Sequence, residues 1–279
     1  MLCWSTVSTA FKIALRYQSI SAVIFAASCT SLLVLGAILA YQGKLQSACL
    51  SLHKHWRSAL LFASLNPLLY YHILLWAYEI LPAQVAQPIN YTWAIMLALL
   101  SVPFLGHTLR KIDILALIIC YAGVVVISLG GTLEASTAHF TGIALALAST
   151  IIWASYWILN ANDQREPIVG LFQNFLIATP LALVLAWPLN YSWQGLASSV
   201  YLGLFEMGIA FVFWFYAMKY TRNTSRISNL IYISPFISLF LIHTILGEDI
   251  HRNTYFGLGL IILGLVTQNV GQQKSRPKD

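Results

Sequence analysis

The chain has 279 residues, of which 59% are hydrophobic and 9% charged. A water-soluble domain is about half apolar and about a quarter charged, so this mixture cannot furnish a solvated exterior, and its long apolar runs point to lipid as the solvent. The formal charge of +6 does not indicate nucleic acid, because the cations sit in short clusters between apolar runs instead of along one surface. Cys3, Cys29, Cys49 and Cys120 stand at no metal or redox spacing, so no disulfide framework, metal or cofactor is expected. The opening stretch lacks a basic head and a small-residue cleavage site, so no cleavable leader is expected.

Apolar runs of spanning length predict ten helices, over roughly 1–16, 19–41, 56–79, 83–105, 112–130, 140–160, 167–188, 195–218, 225–246 and 254–271. The fold class is therefore an all-α integral membrane protein. The first run is shorter than the ~20 residues of an ordinary span and carries Lys12. The linkers are short and leave no soluble domain; residues 272–279 make a polar tail. With the N-terminus inside, the inner segments hold Lys44, Lys54, Arg57, Arg110, Lys111, Arg165, Lys219, Arg222, Arg226, Lys274, Arg276 and Lys278, which is 12 of the 15 Lys and Arg. Lys12, Arg16 and Arg252 fall outside. This asymmetry predicts a multi-pass protein of the cell inner (plasma) membrane with both termini cytoplasmic.

The two halves repeat. LNPLLYYHILLWAYEIL (65–81) aligns with FEMGIAFVFWFYAMKYT (205–221), placing Ala77 on Ala217 at an offset of 140. Gly106 falls on Gly247 and Gly123 on Gly264 at an offset of 141, so one inserted residue reconciles the register. The halves are 1–131 and 140–271, and five spans in each make the second enter the membrane inverted. The charges agree: Arg110 and Lys111 follow span 4 where Glu248 and Asp249 follow span 9, and Glu79 ends span 3 where Lys219 ends span 8. Inverted repeats characterise secondary carriers, with the substrate site near the midplane where the repeats meet.

The ten-span layout, the opening WSTVSTAFKIAL (4–15) and the endings IICYAGVVVISLGG and GLGLIILGLVTQ resemble the drug/metabolite transporter superfamily, EamA type. LPAQVAQPINYTWAIMLALLSVP (81–103) and GLFEMGIAF (203–211) are similar to one bacterial branch of it. The resemblance covers nearly the whole chain. It implies a central cavity lined by spans of both halves, and export, with substrates ranging over amino acids, aromatic metabolites, nucleotide sugars, cations and drugs. Two departures stand out. The family pattern has several more apolar residues before Trp4, so either the start lies downstream of the true one or span 1 is short. Trp93 is followed by Ala94 where the branch often has proline, which predicts a straighter span 4.

Glu206 is the sharpest candidate for substrate binding. A charge at mid-span costs roughly 2.5–3.5 kcal/mol on insertion scales, so such a residue faces the bundle interior. It reads as a ligand for a substrate amine or as a site for protons as coupling ion, against the plain reading of a protonated Glu bonded to a neighbouring helix. Asn66 is its repeat counterpart (206 − 140 = 66), and Pro67 beside it frees a backbone carbonyl; interhelical hydrogen bonding is the plainer role. In span 4, Gln87, Asn90 and Tyr91 share one face and line either a cavity or a helix seam. The aromatic clusters Tyr70–Tyr71–His72 and Trp153–Tyr156–Trp157 supply Tyr70 and Trp157 as cavity-wall candidates, against packing or an interfacial belt. Gln173, beside Asn174, and Asn229 with Tyr232 are weaker lining candidates. Lys12 is expected to snorkel to the outer surface, and Gly257, Gly259 and Gly264 to serve close helix packing.

No HExxH, GxSxG or paired membrane carboxylates occur, so an enzyme is not expected, and no Walker ending exists for an ATP-driven pump. The expected activity is secondary transport of a small-molecule substrate, an amino acid or related amine-bearing compound, by alternating access. A multidrug or cationic-compound exporter and a channel are the alternatives. Membrane lipid is the other partner.

Overall fold

The computed structural model describes residues 2–106, 108, 110–129, 136–220 and 233–274. Every element among them is helical. In order they are α1 (Leu2–Tyr17), α2 (Ile20–Tyr41), α3 (Leu45–Ala63), α4 (Tyr70–Ile80), α5 (Ala83–Tyr91), α6 (Trp93–Leu105), α7 (Lys111–Leu129), α8 (Thr137–Ala161), α9 (Pro167–Ala186), α10 (Trp193–Tyr201), α11 (Ala210–Tyr220), α12 (Ser234–Leu241) and α13 (Arg252–Lys274). Irregular π-type turns at Ser64–Leu69, Leu202–Ile209 and Ile242–Leu246 join or extend them.

Among the described residues, seven helical runs are long and apolar enough to cross a bilayer: Ile20–Tyr41, Leu45–Ile80, Ala83–Phe104, Lys111–Leu129, Thr137–Ala161, Pro167–Ala186 and Trp193–Trp214. Ser234–Leu246 is a shorter apolar helix. Among the described residues, seven of the ten predicted runs are thus helices of spanning character; α1 has 16 residues, under the ~20 of an ordinary span, and α13 has 23. The third run also begins earlier than its apolar stretch. Predicted from residue 56, it is helical from Leu45, because Leu45–His55 has no Gly or Pro to stop a helix although it is too polar to read as membrane.

The chain divides into two compact units, Met1–Leu75 with Asn162–Thr221, and Trp76–Ala161 with Arg222–Asp279. Each takes segments from both sequence halves. In the first unit α2 packs along α9 and α1 against α10. Both helices bury small residues, Ala22, Ala26, Ala27, Ser28 and Ser31 on α2 and Gly170, Ala178, Ala182 and Ala186 on α9, which lets neighbouring backbones approach where lipid offers no hydrophobic drive. In the second unit α7 packs along α13. A Cβ on Gly123 would meet the Gly257 carbonyl at 2.5 Å, and one on Gly264 would meet Cys120 Sγ at 2.5 Å and the Ala116 carbonyl at 2.7 Å. Gly257 is equally tight, whereas a Cβ on Gly259 would meet nothing within 4 Å, so Gly259 takes no part in this seam.

Large apolar side chains such as Leu33, Phe104, Ile118, Val184, Phe240 and Phe256 are exposed, as a lipid-facing surface requires. Within span 4, α5 ends at Tyr91 and α6 starts at Trp93, the Thr92 carbonyl accepting from both Ile95 N–H (3.0 Å) and Met96 N–H (3.1 Å). At the other end of α5, Pro82 offers no side-chain cap. Glu248 supplies it from a distant loop, Oε1 accepting from Ala83 N–H (3.0 Å) and Oε2 from Gln84 N–H (3.2 Å). Gln84 reciprocates, donating to the Asp249 carbonyl (2.8 Å) and accepting from His251 N–H (2.9 Å) and Thr254 Oγ1 (3.1 Å).

Candidate functional site

Within the first unit, Glu206 sits in the π-type segment Leu202–Ile209 between α10 and α11. Two glycines five residues apart make this geometry possible. A Cβ on Gly203 would collide with the Ala27 carbonyl and with Thr30, and one on Gly208 would meet the Gly203 carbonyl at 2.9 Å. Ser31 fastens the segment to α2 by donating to the Gly203 carbonyl (2.8 Å). Such π turns inside α-helices recur at functional sites. Glu206 Oε1 accepts from the Tyr71 hydroxyl at 3.0 Å. Oε2 is buried and has no hydrogen-bond partner among the described residues. Tyr71 is fully buried, with its ring edge-on to Tyr70 (centroids 4.9 Å) and to Phe11 of α1 (6.1 Å). A carboxylate oxygen with no proton donor, walled by aromatic rings, is a place where an ammonium group or a proton can be accepted.

Asn66 occupies the matching interruption of the α3–α4 run. Its backbone is extended (φ −143°, ψ 115°), because Pro67 disfavours the helical region for the residue before it. Pro67 also removes an N–H from the helix ladder. The Asn66 side chain is 2% exposed and its Oδ1 has no partner among the described residues. The repeat counterparts Asn66 and Glu206 thus both lie where the helix is irregular and both carry an unused buried acceptor.

Gln173 is engaged differently. It is fully buried; its Oε1 accepts from Arg165 Nη1 (3.1 Å) and its Nε2 donates to the Ala48 carbonyl (2.8 Å) and to Ser51 Oγ (3.0 Å). Arg165 in turn grips Asp163 (2.6 Å) and lies over the Phe62 ring. These bonds make Gln173 a brace between α3 and α9. Its neighbour Asn174, 1% exposed with Oδ1 lacking a partner among the described residues, is the one left with unused capacity. Sequence adjacency could not separate the two.

Within the second unit, Gln87 is buried on α5 and its Oε1 has no partner among the described residues. Asn90, one turn on, donates to Ser149 Oγ of α8 (3.0 Å), and Tyr91 is half-buried beside it. On α8, Trp153 stacks on Tyr156 (5.5 Å, 16°), and Trp157 meets both rings edge-on. Asn229 and Tyr232 lie outside the described residues. Sequence reading grouped Tyr71 with its aromatic neighbours without pairing it to Glu206; the two are 135 residues apart and no spacing rule joins them.

Apolar spanning helices, small-residue helix seams and polar groups held in the interior define a multi-pass membrane transporter. The chain belongs to the EamA-like transporter family, whose profile matches residues 1–129 and again 140–269. It is 29% identical over 203 residues to an uncharacterized transporter of Archaeoglobus fulgidus, covering 70% of this chain and 71% of that one. It is 23% identical over 228 residues to the uncharacterized transporter YvbV of Bacillus subtilis, covering 79% and 74%. A crystal structure with 21% identity shares the fold, with a TM-score of 0.69 over 99% of this chain and 96% of that one.

Proposed function

We infer that the protein is a secondary carrier of ten spans, arranged as two inverted five-helix repeats, that moves an amino acid or related amine across the cell inner membrane by alternating access. The direction is outward, both termini are cytoplasmic, and protons exchanged at Glu206 are the coupling ion. The observation that carries this reading is the Glu206 carboxylate, with one oxygen held by Tyr71 and the other unpartnered, in a π turn whose repeat counterpart is the break at Asn66. Substrate contacts are assigned to Glu206, Asn66 and Tyr70 in the first unit, and Gln87, Asn90, Tyr91 and Trp157 are kept as lining candidates within the second. Aromatic walls and a single carboxylate suit an amine bearing an apolar side chain.

The test is counterflow in liposomes with a labelled amino-acid panel. Wild-type protein is expected to exchange at least one aromatic or aliphatic amino acid, and Glu206→Gln to lose that exchange or its pH dependence. Counterflow untouched by Glu206→Gln removes Glu206 from the mechanism. Absence of amino-acid flux together with exchange of cationic compounds replaces the substrate class.

A further inference from the structure

We propose that Ser28 of α2 is the third acceptor, with Asn66 and Glu206, of an ammonium pocket that selects primary amines over their N-methylated forms. This rests on the reading that Glu206 meets the amine of the substrate. Ser28 is fully buried and its Oγ has no hydrogen-bond partner among the described residues. Other hydroxyls on the helices of this unit are spent. Thr30, Thr179 and Ser199 donate to the carbonyl four residues earlier, and Ser31 donates to the Gly203 carbonyl.

Contacts of neighbouring residues place Ser28 beside Asn66. Ser21 stands seven residues before Ser28, two turns back on the same face of α2. Its hydroxyl is 3.1 Å from His72 Nε2 of α4. The turn Ser64–Leu69, which leads into α4, also packs on α2. Because α2 begins at Ile20, a parallel course would carry that turn past the end of α2, so α2 and α4 run antiparallel. Asn66 precedes His72 by six residues and Ser28 follows Ser21 by seven, which sets both about 9–10 Å from the Ser21–His72 contact in the same direction.

Glu206 reaches the same level from the other flank of α2. A Cβ on Gly203 would collide with the Ala27 carbonyl, and one on Gly208 would lie 3.6 Å from Val34. Glu206 therefore passes α2 between those points, about one turn from Ser28. The Tyr71 hydroxyl holds its Oε1 at 3.0 Å, which turns the carboxylate toward α4, where the Ser21–Ser28 face of α2 also points. Ser28 Oγ, Asn66 Oδ1 and Glu206 Oε2 all lack a partner among the described residues. Their number selects the ligand. A proton needs one acceptor, whereas a primary ammonium brings one charge and three N–H donors, matching one carboxylate and three oxygens. Each N-methyl group removes a donor and strands a buried acceptor, a loss that hydrogen-bonding sites discriminate strongly.

Full-length protein in liposomes is assayed for counterflow of labelled phenylalanine, leucine and 2-phenylethylamine, and of their N-methyl, N,N-dimethyl and N,N,N-trimethyl derivatives. Wild type is expected to exchange a primary form, with each methyl group lowering exchange by about tenfold or more. Ser28→Ala is expected to lower exchange of the primary form by about tenfold and to narrow its margin over the N-methyl form, because the methylated amine no longer strands an oxygen. Ser28→Cys, whose sulfur is a weak acceptor, narrows the margin too. A fall by the same factor for every form is a packing effect and overturns the proposal. Equal exchange of primary and trimethylated forms that still requires Glu206 also overturns it, while Glu206 stays the amine ligand. Exchange indifferent to Glu206→Gln, or no exchange of any amine, overturns both readings.

Discussion

Arg165 is the residue whose loss the structure makes most costly. Its side chain is 2% exposed, ion-paired with Asp163 at 2.6 Å, bonded to Gln173 and laid over Phe62. Truncation leaves the largely buried Asp163 carboxylate with only the Arg165 backbone N–H (3.1 Å) and strips a fully buried amide oxygen of its Arg165 donor, and breaking a buried pair in this way costs about 3–5 kcal/mol. Arg165→Ala is therefore expected to lower the thermal midpoint in detergent well beyond Lys44→Gln, whose pair with Glu166 is exposed. Equal melting of the two variants would refute the brace. The same network explains why Gln173 and Asn174 part ways. Both were legible as polar residues in an apolar run, but which amide is consumed depends on Ala48, Ser51 and Arg165, and those meet α9 only after folding. The pairing of Asn66 with Glu206, by contrast, is readable from the 140-residue offset alone.

Helix ends carry the next set of decisions. Pro82 cannot cap α5, and the carboxylate that does so arrives from Glu248, more than 160 residues away. An N-terminal cap is worth about 0.5–2 kcal/mol, so Glu248→Ala should lower stability by that order while Glu248→Gln, which keeps an acceptor, loses less. A thermal melt of the purified variants checks this, and identical midpoints for both would show that the cap contributes nothing. Because α5 bears Gln87 and Asn90, the cap also fixes where that polar face points. The start of α3 was hidden from sequence for a related reason. Spanning length is read from apolar residues, and Leu45–Arg57 continues the helix without being apolar.

For the whole molecule, the repeat in sequence and the compact units differ. The family profile matches two consecutive halves, yet each compact unit draws on both. Counterpart helices explain the interleaving. α2 packs with α9 and α7 with α13, and the glycines that permit the second pairing, Gly123 and Gly264, are themselves repeat partners. The proposed ten-span topology with cytoplasmic termini makes a definite prediction. Green fluorescent protein fused at the C-terminus should fluoresce and alkaline phosphatase fused there should be inactive, with the activities reversed for fusions placed after Glu79. Active phosphatase at the C-terminus would break the ten-span reading.

Composition, run length and repeat offset determined the solvent, the all-helical class and the two candidate acceptors, because each depends on local counts or on the chain compared with itself. The tertiary structure decided which of those polar atoms are free. Successive helical residues point about 100° apart, so Tyr70 and Tyr71 cannot be ranked from their order, and the hydroxyl that reaches Glu206 is chosen by how α4 packs in its unit. It also decided that Gln173 is satisfied while Asn66, Asn174 and Glu206 each keep an oxygen with no partner among the described residues, since a hydrogen bond needs a partner within about 3 Å and those partners come from distant parts of the chain.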